Sequence, residues 1–500
     1  MNIEQAKEQI KNAMLAYFEK DDFGEYVIAE EEQRPIFLVG PPGIGKTAIM
    51  RRIASELGVG FISYSMTHHT RQSALGLPFI EKKVYNGKEY AVSEYTMSEI
   101  IASIYEQMQR TNITEGILFI DELNCVSETL APSMLQFLQY KTFGQHKVPD
   151  GWIVVTAGNP PEYNNSVREF DIVTMDRLRI LEVEADYETW KNYALKESVH
   201  PSVISYLDIK KYNFYKIETT VEGKSYVTAR GWTDLSTMIK IFEKKNIKID
   251  EILISQYIRN KNIAKDFAGY YELFKKYRSD YEIQSILNGT VDESIIERAQ
   301  NAKFDERYSL IGLLFEGITE YTKSVYHKKN ILIRYRDILN SVSSQIKDSK
   351  NDAVKIIKNE INEYSQKLDN TKKTVGISAD KQYEMHMIIK KLTDLETHLK
   401  YDNSDHIDII KKDFNSFKTE LEEDVKNTSF MLDNIFSFLE SAFGDDNEME
   451  IWTVELTVNN YSADFVSNFH STEYFKHSKT MLLAERHKEL KSKILTLDLN

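Results

Sequence analysis

One cysteine, Cys125, stands in these 500 residues. That count excludes a disulfide within the chain and any zinc site built on cysteines, and a reducing cytoplasm is the expected compartment. Proline and glycine are sparse, at nine and twenty residues, which leaves little material for long flexible linkers. No apolar run is long enough to span a bilayer, and the opening MNIEQAKEQIKNAM lacks the shape of a signal peptide. Positive charge is in deficit: 63 Lys and Arg face 77 Asp and Glu, a net charge of −14. Such a chain has no global attraction for nucleic acid, although a local basic channel could still hold it. What is present is 42% hydrophobic and 28% charged, a soluble, globular composition. The length calls for two or three domains.

The most specific stretch is GPPGIGKTAI, which follows the apolar run PIFLV. It fits G-x-x-x-x-G-K-[ST], a glycine-rich turn whose backbone N–H groups converge on phosphates. Gly40, Pro41, Pro42, Gly43, Ile44, Gly45, Lys46, Thr47 and Ala48 are therefore the expected nucleotide cradle. Lys46 would reach the β and γ phosphates and Thr47 would hold Mg²⁺. The helix KTAIMRRIASELG aims its N-terminal dipole at the anion and stops at Gly58.

Further apolar runs, VGFISYS, GILFIDE, GWIVVTAGN and LRILEVEA, read as buried parallel strands alternating with helices. The first thirty residues read as an amphipathic helix with Ile10, Met14, Leu15 and Phe18 on one face. Two inserts break the alternation. One is a hairpin centred on Asn86-Gly87, the other a shorter hairpin around Phe143-Gly144. Beyond about residue 186 the pattern turns helical, and three heptad segments can be counted in its last part. They are Val354, Ile357, Ile361, Tyr364, Leu368; then Met385, Ile388, Leu392, Leu395, Leu399; then Ile407, Ile410, Phe414, Phe417, Leu421. The segments suggest an antiparallel coiled-coil bundle or a long helical hairpin, and are expected to pack on one another as a separable unit.

The strand GILFIDELN ends in Asp121 and Glu122, where an α/β sheet places its site. Asp121 would bind Mg²⁺ through water and Glu122 would polarise an attacking water, a pairing that favours a hydrolytic motor. Asn159 ends the strand VVTAGN and could hold that water; an Asn opening the turn before Pro160-Pro161 is the competing reading.

These motifs, in this order, resemble the AAA+ ATPases, and more closely their MoxR-type branch, with relatives in magnesium chelatase, the MCM helicases and dynein. The first hairpin, before MSEIIASIYEQM, resembles that group's helix-two insert, and the second its pre-sensor hairpin. GNPPEYNNSVREFDIVTMDRL resembles its sensor-to-finger segment, and TARGWTDL its second sensor. The resemblance covers roughly residues 30 to 290. It implies an α/β fold: a P-loop AAA+ three-layer αβα domain with a parallel five-stranded sheet in 5-1-4-3-2 order, then a helical lid. It implies ATP rather than GTP and a ring, usually a hexamer. Arg177 would be the arginine finger, with Arg168 the next candidate, and Arg230 the second-sensor arginine. Where the family pattern more often has Phe after the finger, this chain has Leu178. The resulting division is an N-terminal helix over 1–30, the nucleotide domain over 31–186, the lid over 187–304, and a coiled-coil-like helical region over 305–500.

Three functions are then in play. The first is an ATP-driven remodeller of a protein partner, which the MoxR resemblance suggests carries a von Willebrand factor A domain. The second is a nucleic-acid motor of the MCM or restriction-translocase kind. The third is a slow nucleotide-gated scaffold. The acidic balance weighs against the second, as do the few basic residues of the short hairpin, Lys141, His146 and Lys147. The intact Glu122 weighs against the third. His68-His69 has no third ligand at metal spacing and reads as loop, and Cys125 reads as packing.

Overall fold

A strand with no polar face has to be covered on both sides, and five such strands form the centre of a layered sheet. The structure is a computed structural model that describes residues 1–66, 76–143, 145–163, 167, 170–220, 223–348, 353–374, 379–401, 405–469, 471 and 473–478. Its contacts divide into two compact units. The first is Met1–Thr189 with Thr228–Gly231; the second is Trp190–Val227 with the described residues from Trp232 onward.

In the first unit the elements run α1 (Ile3–Tyr17), β1 (Ile36–Val39), α2 (Lys46–Leu57), β2 (Gly60–Ser65), β3 (Pro78–Tyr85), β4 (Lys88–Tyr95), α3 (Glu99–Thr111) and β5 (Gly116–Asp121). There follow α4 (Ala131–Tyr140), β6 (Thr142–Phe143), β7 (His146–Lys147), β8 (Trp152–Gly158), α5 (Ile172–Asp176) and β9 (Arg179–Glu182). The central sheet has the order β2-β5-β8-β1-β9, and each neighbouring pair is parallel. Counting its five strands along the chain, this is the 5-1-4-3-2 order.

Alternation along the strands divides the core. Ile117, Phe119, Ile153 and Val155 face α1 and α2, burying Ile10, Met14, Met50 and Ile53. Leu118, Ile120, Trp152 and Val154 face α3 and α4, burying Ile101, Ile104, Phe137 and Leu138. A polar side chain at any of these positions would be stranded between layers. The N-terminal helix is shorter than the sequence suggests: α1 ends at Tyr17, and Leu15, expected on its apolar face, is exposed.

The insert folds as the antiparallel pair β3–β4, closing at Tyr85↔Lys88. Asn86 and Gly87 both have positive φ, 50° and 79°, the turn chemistry that a right-handed twisted hairpin needs. The shorter hairpin is β6–β7; its Gly144 lies outside the described residues.

The second unit is helical apart from one hairpin. Its elements are α6 (Tyr187–Lys196), which enters it from the first unit, α7 (Pro201–Ile209), β10 (Lys216–Thr220), β11 (Gly223–Val227), α8 (Ala229–Lys244), whose first three residues belong to the first unit, α9 (Glu251–Tyr257), α10 (Lys261–Asp280), α11 (Ile283–Leu287) and α12 (Glu293–Gln300). They continue with α13 (Phe304–Asp348), α14 (Ala353–Thr374), α15 (Ala379–Tyr401), α16 (His406–Phe443), α17 (Asn447–Val458) and α18 (Asn460–Phe469). The heptad segments are α14, α15 and the first half of α16. They do not close on themselves. Ile357, Ile388, Leu392, Leu395, Ile410 and Phe417 share one core with Ile331, Tyr335, Ile338, Leu339 and Val342 of α13. Tyr335 Oη also donates to Asp413 Oδ2 at 2.7 Å. Among the described residues the bundle therefore has four helices, and removing 350–422 would uncover Ile331, Ile338, Leu339 and Val342 of α13. Among the described residues no helix is long and apolar enough to cross a membrane.

Lys191 of α6, Asp208 of α7 and Glu455 of α17 meet inside this unit. Lys191 Nζ donates to both Asp208 oxygens (3.0 and 2.8 Å) and lies 3.3 Å from Glu455 Oε1. Two carboxylates share one ammonium, and burial pushes the Glu455 carboxyl up to about 7. Between the ordinary carboxylate range and pH 7 the folded protein thus holds a proton that the unfolded chain has released. This contribution to stability is full at low pH and declines as pH rises to about 7. In thermal melts, the parent should lose about 1–3 kcal/mol relative to Glu455→Gln between pH 4.5 and 7.5, then run level with it. A pH-independent difference between the two proteins would show that Glu455 is ionised throughout.

Candidate functional site

The C-terminal ends of β1, β2, β5 and β8 lie side by side, and the residues expected to form the site stand at them. Val39 of β1 leads into the loop Gly40, Pro41, Pro42, Gly43, Ile44, Gly45. Lys46, Thr47 and Ala48 form the first turn of α2. Gly43 and Gly45 take φ of +78° and +96°, values that a side chain would strain. The turn they make points the first N–H groups of α2 into the loop, where they suit an anion.

Lys46 is 8% exposed. Its Nζ donates to Gly40 O (2.6 Å), Pro41 O (3.0 Å) and Asn159 Oδ1 (2.8 Å), so all three N–H bonds are used. Burial lowers its pKa to about 8; Asp121 and Glu122 oppose that shift, while Arg230 adds to it. Thr47 Oγ1 donates to Asp121 Oδ2 at 2.9 Å, and Asp121 Oδ1 accepts from the Glu122 backbone N–H at 2.9 Å. A hydroxyl and a carboxylate held together offer the hard oxygen donors that Mg²⁺ takes.

Glu122 has a left-handed backbone (φ 57°, ψ 37°), which turns the chain sharply as the strand ends. Its Oε2 accepts from Ser65 Oγ at 3.0 Å. Ser65 ends β2 and pairs in register with Asp121. Nothing local marks Ser65 in the sequence; the sheet order, which sets β2 beside β5, was the signal that could have found it.

The structure thus brings Lys46, Thr47, Asp121, Glu122 and Asn159 to the same strand ends as a network of two hydrogen-bonded sets, Lys46–Asn159 and Thr47–Asp121–Glu122, joined along the chain where Lys46 precedes Thr47. Arg230 is exposed in the first turn of α8, but its backbone N–H donates to Gly43 O at 3.1 Å, and Thr228 packs against Gly43. Arg177 follows α5, and its Nη1 donates to Gln139 Oε1 at 2.6 Å. No bond of the network reaches Arg177 among the described residues. Arg168, His68 and His69 lie outside the described residues.

A parallel α/β sheet with this loop and these strand ends defines a P-loop nucleotide-binding domain. Residues 36–173 match the family described as ATPase family associated with various cellular activities (AAA), so the chain carries an AAA ATPase domain. The match takes in the loop, Asp121, Glu122 and Asn159, and stops short of Arg177 and Arg230. An ATP-dependent zinc metalloprotease FtsH of Paraburkholderia phymatum is 28% identical over 122 residues, 24% of this chain and 15% of its own. FtsH 1 of Sphaerobacter thermophilus, an ATP-dependent zinc metalloprotease by name, is 30% identical over 124 residues, 25% of this chain and 15% of its own. The chain therefore spans about 15% of the length of these curated relatives. The 500 residues contain no His-Glu-x-x-His, so the metalloprotease part of that name has no such counterpart in them.

Two outcomes follow from the geometry. Phosphate binding favours protonated Lys46, whose pKa in the free protein is about 8. Nucleotide Kd should therefore be flat from pH 6.5 to 7.5 and weaken above pH 8, approaching tenfold per unit. A titration with constant Kd to pH 9.5 would contradict this. Glu122→Gln should retain nucleotide binding and lose hydrolysis, because an amide cannot take a proton from water. Phosphate release at the parental rate would remove Glu122 from the role of base.

Proposed function

We propose that the protein is a Mg²⁺-dependent ATP hydrolase of MoxR type that works in the cytoplasm as a ring, a hexamer by resemblance, to remodel or activate a protein partner. The observation that carries the hydrolytic part is the grouping of these side chains. The P-loop lysine, the Thr47–Asp121 oxygen pair, a carboxylate base and the Asn159 amide share one set of strand ends.

In this reading Lys46 gives up Asn159 Oδ1 for the β and γ phosphates, which frees the Asn159 amide to orient a water. The Glu122 carboxylate takes a proton from that water as its oxygen bonds to the γ phosphorus. The bond to the β–γ bridging oxygen breaks, leaving ADP and phosphate. Thr47 and Asp121 would hold Mg²⁺, which supplies charge neutralisation on the phosphates. Arg230 would contact phosphate from the lid, and Arg177 would leave Gln139 to reach the neighbouring subunit's nucleotide.

A protein client is favoured over nucleic acid by the state of the basic residues. Lys141 is buried and donates to Gln33, Lys147 pairs with Glu30, and His146 bonds the Tyr95 carbonyl. On the insert hairpin Lys82 pairs with Glu89 and Lys83 with Glu94. Charges neutralised within the protein release few counterions from DNA. A von Willebrand factor A domain partner rests on the MoxR resemblance alone.

Arg177→Ala should leave the nucleotide affinity of a subunit near the parental value and lower ATPase by on the order of 10³. Mixing Arg177→Ala with Lys46→Ala subunits should restore part of the activity, wherever an intact site meets an intact finger. If mixed rings form and no mixture recovers, Arg177 does not act in trans.

A further inference from the structure

We infer that Asn124 is a positioning residue for Asn159; the inference rests on reading Asn159 as the residue that orients the water. The left-handed Glu122 starts a tight turn, Leu123–Cys125, closed by Cys125 N donating to Glu122 O at 2.9 Å. That turn carries Asn124 back over the end of β8. There its Nδ2 donates to the main-chain carbonyl of Asn159 at 2.8 Å. The partner is a carbonyl, so the group facing it has to be the NH₂ end of the amide.

Packing alone does not account for an amide here. Asn124 is 6% exposed, and its Oδ1 is buried with no partner among the described residues. An apolar side chain of the same size would avoid that unpaired oxygen. The seat exists because residue 158 is glycine: a Cβ there would lie 2.5 Å from Asn124 Oδ1. One bond therefore fixes the carbonyl of Asn159 while its side chain accepts from Lys46. The turn that presents Glu122 and the residue that contacts the P-loop lysine are joined through a single amide. The base and the water-orienting group are thereby set at a fixed separation, which matters for hydrolysis and not for holding the nucleotide.

The test is steady-state ATPase and nucleotide binding of the full chain for Asn124→Leu, Asn124→Ala, Asn159→Ala and the double variant Asn124→Leu/Asn159→Ala. Asn124→Leu keeps the branching at Cγ, at a larger volume, and removes the donor. It should melt no lower than the parent, keep KM and Kd within about twofold, and lose tenfold or more in kcat. Asn124→Ala should show the same split between kcat and KM, whether or not the leucine packs well. The double variant should lie within about twofold of Asn159→Ala, because both act through one group. If Asn159→Ala loses kcat while both Asn124 variants keep it, or if the losses multiply, the inference is wrong and the role of Asn159 stands. If Asn159→Ala keeps the parental kcat, the water-orienting role falls and takes this inference with it.

Discussion

An ammonium stripped of most of its water needs an acceptor on every N–H, and Lys46 finds two in its own loop and a third on another strand. That third acceptor, Asn159, is in reach only because β1 and β8 pair with Val39 opposite Gly158. A slip of one residue would exchange the two faces of β8 and move Trp152 off its seat against Gly60 and Gly116, so the shapes packed in the two-sided core enforce the register. The packing of Phe37, Val154 and Val155 between helix layers therefore sets a hydrogen bond at the rim of the sheet. With Lys46 protonated, the loop holds a cation surrounded by neutral oxygens, a site electrostatically suited to an anion.

The same logic governs the acidic side of the site. Asp121 is the last residue of β5, and its register with Ser65 places a hydroxyl beside the carboxylate that follows. Glu122 leaves the strand in a left-handed conformation that a non-glycine residue adopts at some cost. In return the turn frees the carboxylate from the sheet and sends Asn124 back toward β8. Thr47 meets Asp121 because α2 begins directly at Gly45 with no intervening residue. Each of these contacts is a consequence of where a strand stops.

The glycine-rich loop, the acidic strand end and the Asn86-Gly87 turn were legible because each depends on local chemistry: positive φ, an apolar run with a polar end, a two-residue hairpin loop. The strand order was not legible from periodicity, since strands covered on both faces carry no lateral signal; it came with the family resemblance and the structure has it. Ser65 and Asn124 were missed for a related reason, as their partners lie 57 and 35 residues away. Lys141 read as a basic residue of a hairpin, yet it is 3% exposed and burial lowers its pKa to about 8. Three heptad stripes were read correctly as helices. Their fourth partner, α13, was overlooked because its 45 residues are apolar on different sides along their length.

The two hairpins of the first unit are better regarded as one mechanical body than as separate inserts. Gln145 Nε2 donates to Glu94 Oε2 at 3.1 Å and His146 Nε2 to the Tyr95 carbonyl at 3.0 Å, which ties the root of β4 to the tip of β6–β7. At the other end of the short hairpin, Lys141 is clamped to Gln33 and Lys147 to Glu30. An isolated two-stranded hairpin is at best marginally stable in water, so these bonds help hold the insert in place. The short hairpin then runs through Val148, which is buried, into β8, a strand buried at all seven residues from Trp152 to Gly158. A strand packed on both faces has no room to bend between its ends. Asn159 and the short hairpin thus stand at the two ends of one strand that is buried along its whole length.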